Sequence, residues 1–212
     1  YLSQSYLLSA YCVQSTMLST WKSCPPGVVQ KAVDVALDHG YRHFDCAYFY
    51  QNAAAVGDVV RRRIEERGVR REDLFIVSKL WNIFHHPRDV RPAFLSSLRS
   101  WKLDHLDLYL MHSPMAFQVP GVVPGPLPLD SRAPVPSSIA TRSGGWAMER
   151  LVEEGLVRAI GVSEFNVAQL DSVSVPCRAP SLHPHFPDEG TEAQRSKVTC
   201  PRSHSRQVAK SG

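Results

Sequence analysis

From Gly27 to Leu170 the chain alternates between two hydrophobic periods. Val28, Val29, Ala32, Val33, Ala36 and Leu37 recur at helical spacing, and Gly40 stands where a left-handed residue would stop that helix. A short run follows from His43 to Ala47, then a second helical pattern from Ala53 to Glu66 that ends at Gly68. Leu74 to Ser78 is apolar with a β-branched pair, which predicts a buried strand. Val90 to Trp101 is helical again and Leu106 to Met111 is the next strand. Trp146 to Glu154 reads as helix with Gly155 as its stop, and Val157 to Val162 as strand. The order β-α-β-α-β-α-β predicts a parallel sheet with crossover helices.

Two stretches break the rhythm. Pro114 to Pro136 holds seven prolines in 23 residues, too many for the interior of any element, so a long surface loop is expected. Residues 174–212 are rich in Ser, Pro, His, Arg and Lys with scattered apolar positions, and a disordered tail is expected there.

Composition narrows the class. At 212 residues, 43% hydrophobic and 21% charged, the chain is an ordinary globular protein rather than a multidomain machine or a disordered one. The net charge is only +4, and the basic runs Arg61-Arg62-Arg63 and Arg70-Arg71 are interleaved with Glu65, Glu66, Glu72 and Asp73. They read as solvated helical faces, not as a nucleic-acid footprint. Five cysteines show neither CxxC nor Cys/His metal spacing, which points to no metal site and no disulfide scaffold. No apolar run reaches the roughly 18 residues that span a bilayer. The expectation is a cytoplasmic monomer with no nucleic-acid or membrane partner.

The chemistry is positional. Asp45, Lys79, His112 and Ser163 each follow an apolar strand run, and in a parallel barrel the carboxyl ends of the strands form one rim. Lys and Asp are almost never fully buried unless paired, so Asp45 and Lys79 are expected partners. Tyr50 lies five residues beyond Asp45, where a turn can return its hydroxyl to the same rim. An adjacent ammonium would lower the phenol pKa and make it a usable general acid, while His112 would orient a substrate carbonyl. Such a site can protonate a carbonyl oxygen but holds no electron source, so a reduction needs a hydride-carrying cofactor.

Gly40-Tyr41-Arg42-His43-Phe44-Asp45-Cys46-Ala47, Tyr50-Gln51-Asn52, Leu74 to Trp81, Leu106 to His112 and Ile160-Gly161-Val162-Ser163 together closely resemble the aldo-keto reductases, nearest the aldose reductase and 1,5-anhydro-D-fructose reductase branch. The resemblance implies a (β/α)8 TIM-barrel fold, NADPH as cofactor and a small carbonyl substrate reduced to an alcohol. It casts Tyr50 as proton donor, Lys79 and Asp45 as the pair that lowers its pKa, and His112 as the carbonyl-orienting histidine. Thr20, Trp21, Asp45 and Ser163 would meet the cofactor, with Ser163 on the nicotinamide carboxamide. Trp21, Trp81 and His112 would line the substrate pocket.

There are departures. Ser113 stands where the family usually has tryptophan, Glu164 where it has asparagine and Ala53 where it has glutamate. Residues 1–15 do not resemble the family's opening hairpin, and after Leu170 nothing resembles its last three strands or its 2′-phosphate clamp. The expectation is an incomplete barrel of about five of the eight β/α units over residues 16–173, a C-terminally truncated member followed by the tail 174–212. The alternative expectation is a catalytically impaired form that binds other chains through its open barrel edge.

Overall fold

The computed structural model describes residues 16–21, 27–118, 133–135, 138–173 and 197–199. The N-terminal segment 1–15, most of the proline-rich stretch and, apart from 197–199, the tail 174–212 lie outside the described residues. Five parallel strands lie in sequence order in a six-stranded sheet: β1 (Met17–Ser19), β2 (His43–Asp45), β3 (Phe75–Leu80), β4 (Leu106–Met111) and β7 (Val157–Val162). Each neighbouring pair is joined through a helix: α1 (Val28–Asp38), α2 (Ala53–Glu65), α3 (Pro87–Trp101) and α4 (Ser138–Glu153). A further helix, α5 (Val167–Val173), follows β7. This is the α/β arrangement of a (β/α)8 barrel, with five of its parallel strands among the described residues.

The helices form where the apolar period puts one face on the sheet. In α1, Val29, Val33, Ala36 and Leu37 are buried, and in α3, Val90, Phe94, Leu98 and Trp101 are. Gly40, with φ 85°, supplies the left-handed residue expected at the end of α1. Phe44, Ile76, Leu80, Tyr109, Met111 and Ile160 meet these helices from the sheet, making one contiguous core between the two layers. Helices α2 and α3 cross closely at Gly57, where a Cβ would collide with the Ser100 carbonyl oxygen.

Three local expectations are corrected. The segment from Pro114 to Pro136 carries a short antiparallel hairpin, β5 (Ala116–Gln118) with β6 (Ala133–Val135), whose register sets Phe117 opposite Pro134. Proline cannot donate to a ladder, so it is tolerated only in such an edge pairing. Helix α4 begins well before Trp146 and runs through Gly144 and Gly145. A Cβ at Gly144 would stand 2.6 Å from the His85 carbonyl oxygen, so a residue that weakens helices locally is what lets this one approach. Arg71 does not join a solvated face. Its guanidinium reaches Asp107 at 2.8 Å, and Asp107, a fully buried carboxylate, also accepts from Arg158 at 2.9 Å and from the Ile76 backbone N–H at 2.9 Å. This ion triad ties the amino ends of β3, β4 and β7, opposite the candidate site.

Within the tail, β8 (Lys197–Thr199) pairs antiparallel with β7.

Candidate active site

Register decides which side chains can meet. Ser19 pairs with Asp45, Asp45 with Val77, Lys79 with Leu110 and Leu110 with Gly161. Paired residues in a parallel sheet point to one face and alternate residues share it, so Trp21, Asp45, Lys79, His112 and Ser163 all belong to the face turned away from the helices. They stand at or just past the carboxyl ends of β1, β2, β3, β4 and β7. Thr20 has the opposite parity. It is buried, and its hydroxyl is engaged with the Asp45 carbonyl and Asn52 Oδ1, both at 3.3 Å, while Asn52 Nδ2 donates to the Thr20 carbonyl at 2.8 Å. These bonds fasten the end of β1 to β2 and to the turn that follows it.

At the centre, Lys79 Nζ lies 2.5 Å from Asp45 Oδ1, 3.1 Å from Tyr50 Oη and 3.3 Å from the Cys46 carbonyl oxygen. The side chains of Lys79 and Asp45 are only 7% and 14% exposed, so this ammonium is a desolvated charge held by three oxygens. Tyr50 comes to it on a 3₁₀ turn, Tyr48–Tyr50, directly after β2. Gln51, with φ 56°, ends that turn.

The Tyr50 phenol departs from the expected direction. Burial pushes its pKa above the ordinary value, and the nearby Lys79 ammonium offsets only part of that. The group is therefore a held proton rather than a poised phenolate. Burial also drives His112 down to about 4, with Lys79 and then His85 adding to the effect, so its ring is neutral near pH 7. Its Nδ1 is buried without a hydrogen-bond partner among the described residues, and its backbone N–H donates to the Leu80 carbonyl at 3.0 Å. His85, likewise buried and driven to about 4, stands behind it. Cys46 carries a buried thiol pushed up to about 11, chiefly by burial.

An aromatic wall adjoins these groups. Trp81 stacks on Phe49 with ring centroids 4.1 Å apart and planes 15° from parallel, and meets His112 edge-on at 5.1 Å and Phe117 at 6.0 Å. The sequence singles out Trp81 but not Phe49, whose place between two tyrosines gives no signal of its direction. Trp21 is 58% exposed at the opposite end of the rim and Ser163 is half-buried. Ser113 is buried, with its hydroxyl accepting from the Met115 N–H at 3.3 Å. Glu164 is exposed and held at φ 61°.

Among the described residues, no three His, Cys, Asp or Glu side chains are grouped as metal ligands, and no helix is long and apolar enough to cross a membrane.

Comparison with known proteins gives one consistent result. The model of the Aldo/keto reductase family matches residues 15–187. The chain is 47% identical over 158 residues to aldo-keto reductase family 1 member A1 of Gallus gallus, covering 74% of this chain and 47% of that protein. Its identity to the Homo sapiens protein of the same name is 43% over 158 residues, again 47% of the relative. The aldose reductase of Schistosoma japonicum superposes with a TM-score of 0.66 at 41% identity, covering 76% of this chain and 53% of that one. The chain thus spans about half the length of the relatives it matches.

Proposed function

The chain belongs to the aldo/keto reductase family, and from that premise we propose that it acts as an NADPH-dependent oxidoreductase, reducing an aldehyde or ketone to an alcohol with Tyr50 as proton donor. The observation that carries this reading is the 3.1 Å contact between Tyr50 Oη and a lysine ammonium that is itself fixed at 2.5 Å by Asp45.

The residues fit the nicotinamide end of the cofactor. Ser163 and Trp21 flank the Asp45, Lys79, Tyr50 and His112 group on one face of the sheet, and Trp21 is 58% exposed. NADPH bound there would supply hydride to the carbonyl carbon. Tyr50 Oη gives its proton to the carbonyl oxygen as negative charge develops on that oxygen. Lys79, 3.1 Å away, stabilises the phenolate left behind, and stabilisation of this kind by a preorganised charge in a desolvated site is worth several kcal/mol. Asp45, 2.5 Å from the ammonium, holds it in place. His112, neutral, can donate a ring N–H to the same carbonyl oxygen without competing as an acid. Because burial raises the Tyr50 pKa, the donor stays loaded across the physiological range.

The test is NADPH consumption with a small aromatic aldehyde and titration of NADPH into the protein alone. Turnover together with saturable NADPH binding is the expected result. A second reading is favoured by β1, an edge strand among the described residues with Met17 50% exposed: a protein that binds other chains through that edge. Self-association with neither NADPH binding nor turnover would support it over the enzyme.

A further inference from the structure

Resting on the carbonyl-reduction reading, we propose that Asn52 is a positioning residue of the reaction: its side-chain amide fastens the turn that carries Tyr50 and so holds the Tyr50 hydroxyl against Lys79. The turn Tyr48–Tyr50 leaves β2 at one end and passes through Gln51, at φ 56°, towards α2 at the other. Its own bonds, from the Tyr50 N–H to the Ala47 carbonyl at 3.1 Å and from the Gln51 N–H to the Tyr48 carbonyl at 3.2 Å, close the turn on itself. Strand β2 anchors its entry, and Asn52 anchors its exit. Asn52 Nδ2 donates to the Thr20 carbonyl at 2.8 Å, while Oδ1 accepts from the Thr20 hydroxyl at 3.3 Å and from the Cys46 thiol at 3.4 Å. A carbonyl can only accept, so the Thr20 carbonyl fixes which way round the amide lies.

Two further observations set this amide apart from an ordinary helix cap. Asparagine at the head of a helix usually accepts from the helix's own first N–H groups. Asn52 heads α2 and makes no such bond; its amide goes to β1 instead. The same amide is also tied to both residues that hold the Lys79 ammonium beside Tyr50. Cys46, which gives it the thiol proton, accepts from Lys79 Nζ at its carbonyl at 3.3 Å, and the Thr20 N–H donates to the Asp45 carbonyl at 2.9 Å. The end of β1, the holders of Lys79 and the exit of the Tyr50 turn thus form one hydrogen-bonded frame. A misplacement of about 1 Å can cost about 10²-fold in rate, so the frame that sets the phenol sets the turnover.

The experiment measures kcat and KM for a small aromatic aldehyde at saturating NADPH in the full chain and its Asn52→Ser and Asn52→Ala forms. Serine caps a helix about as well as asparagine but is too short to reach Thr20, so Asn52→Ser keeps the start of α2 and removes the bridge. Both forms are expected to lower kcat about 10- to 100-fold, with KM for the aldehyde and affinity for NADPH within about twofold of the parent. Full activity in Asn52→Ser would make the residue a cap and overturn the proposal. In a Tyr50→Phe background the same substitutions should lower the residual rate by less than about twofold, because they act through the hydroxyl already removed; a larger further loss also overturns it. A second arm needs no turnover. In protein carrying carbon-13 at tyrosine Cζ, the resonance assigned to Tyr50 by its absence from Tyr50→Phe should shift or split in Asn52→Ser, while that of the buried Tyr109 stays. An unmoved Tyr50 resonance overturns the proposal. If it moves although the parent reduces nothing, the frame stands and the enzymatic reading falls. If the parent reduces the aldehyde and Asn52→Ser matches its rate, the frame falls and the reading stands.

Discussion

Replacing Lys79 by Met should do more to the fold than removal of an exposed ion pair would. The ammonium sits 2.5 Å from Asp45 with the two side chains 7% and 14% exposed. At an effective dielectric of about 20, a pair at that separation attracts by roughly 6–7 kcal/mol, most of which offsets the cost of taking both ions out of water. The net value of the pair is therefore small, but breaking it is not. Lys79→Met leaves the Asp45 carboxylate buried without its counter-charge and leaves the Tyr50 hydroxyl and the Cys46 carbonyl without their donor. The expected loss is about 3–5 kcal/mol. Asp45→Leu should cost a similar amount by stranding the ammonium, whereas the double variant Asp45→Leu/Lys79→Met should recover most of it, because neither charge remains to be desolvated. Urea unfolding of the four proteins, followed by tryptophan fluorescence, closes the cycle. Single substitutions costing under about 1 kcal/mol, or a double variant that simply adds the two losses, would refute the reasoning, since either requires a pair that is solvated or uncoupled.

Two further outcomes follow from the same fold. His112 and His85 are neutral in the fold with pKa values near 4, while in the unfolded chain each titrates near 6.5. As pH falls between those values the unfolded chain takes up protons that the folded one refuses. Stability should thus drop by about 1.5 kcal/mol per histidine from pH 6.5 to 5, and His85→Leu should roughly halve the part these two histidines contribute in urea titrations. Glu164, held at φ 61°, occupies a backbone region that asparagine tolerates better, so Glu164→Asn should stabilise by about 0.5–1 kcal/mol, seen as a rise of roughly 1–4 °C in Tm.

Much of the site was legible before any coordinates because a parallel sheet collects its strand ends. Asp45, Lys79 and His112 are far apart in the chain but share a rim and a face by register alone. What was not legible depended on three-dimensional competition. The lowering of the Tyr50 pKa by Lys79 is real, but burial outweighs it, and burial of a phenol cannot be read from neighbouring letters. Arg71 looked like one more member of an alternating charge run, although a signal was available: Asp107 interrupts an apolar strand, and a buried carboxylate requires a cation. Phe49 had no signal at all, since periodicity does not reach into a single 3₁₀ turn. The early start of α4 was hidden because Gly144 is chosen for its approach to the His85 carbonyl rather than for helix propensity.

The most direct measurement is the turnover number of Tyr50→Phe with NADPH and a small aromatic aldehyde, taken beside its NADPH affinity and its unfolding midpoint. Loss of one hydroxyl whose hydrogen-bond partner among the described residues is Lys79 should leave affinity and fold nearly unchanged and lower kcat by about 10²–10⁴-fold, the range for removal of a general acid. A Tyr50→Phe protein that still reduces the aldehyde within about threefold of the parent rate would contradict the assignment of Tyr50 as proton donor.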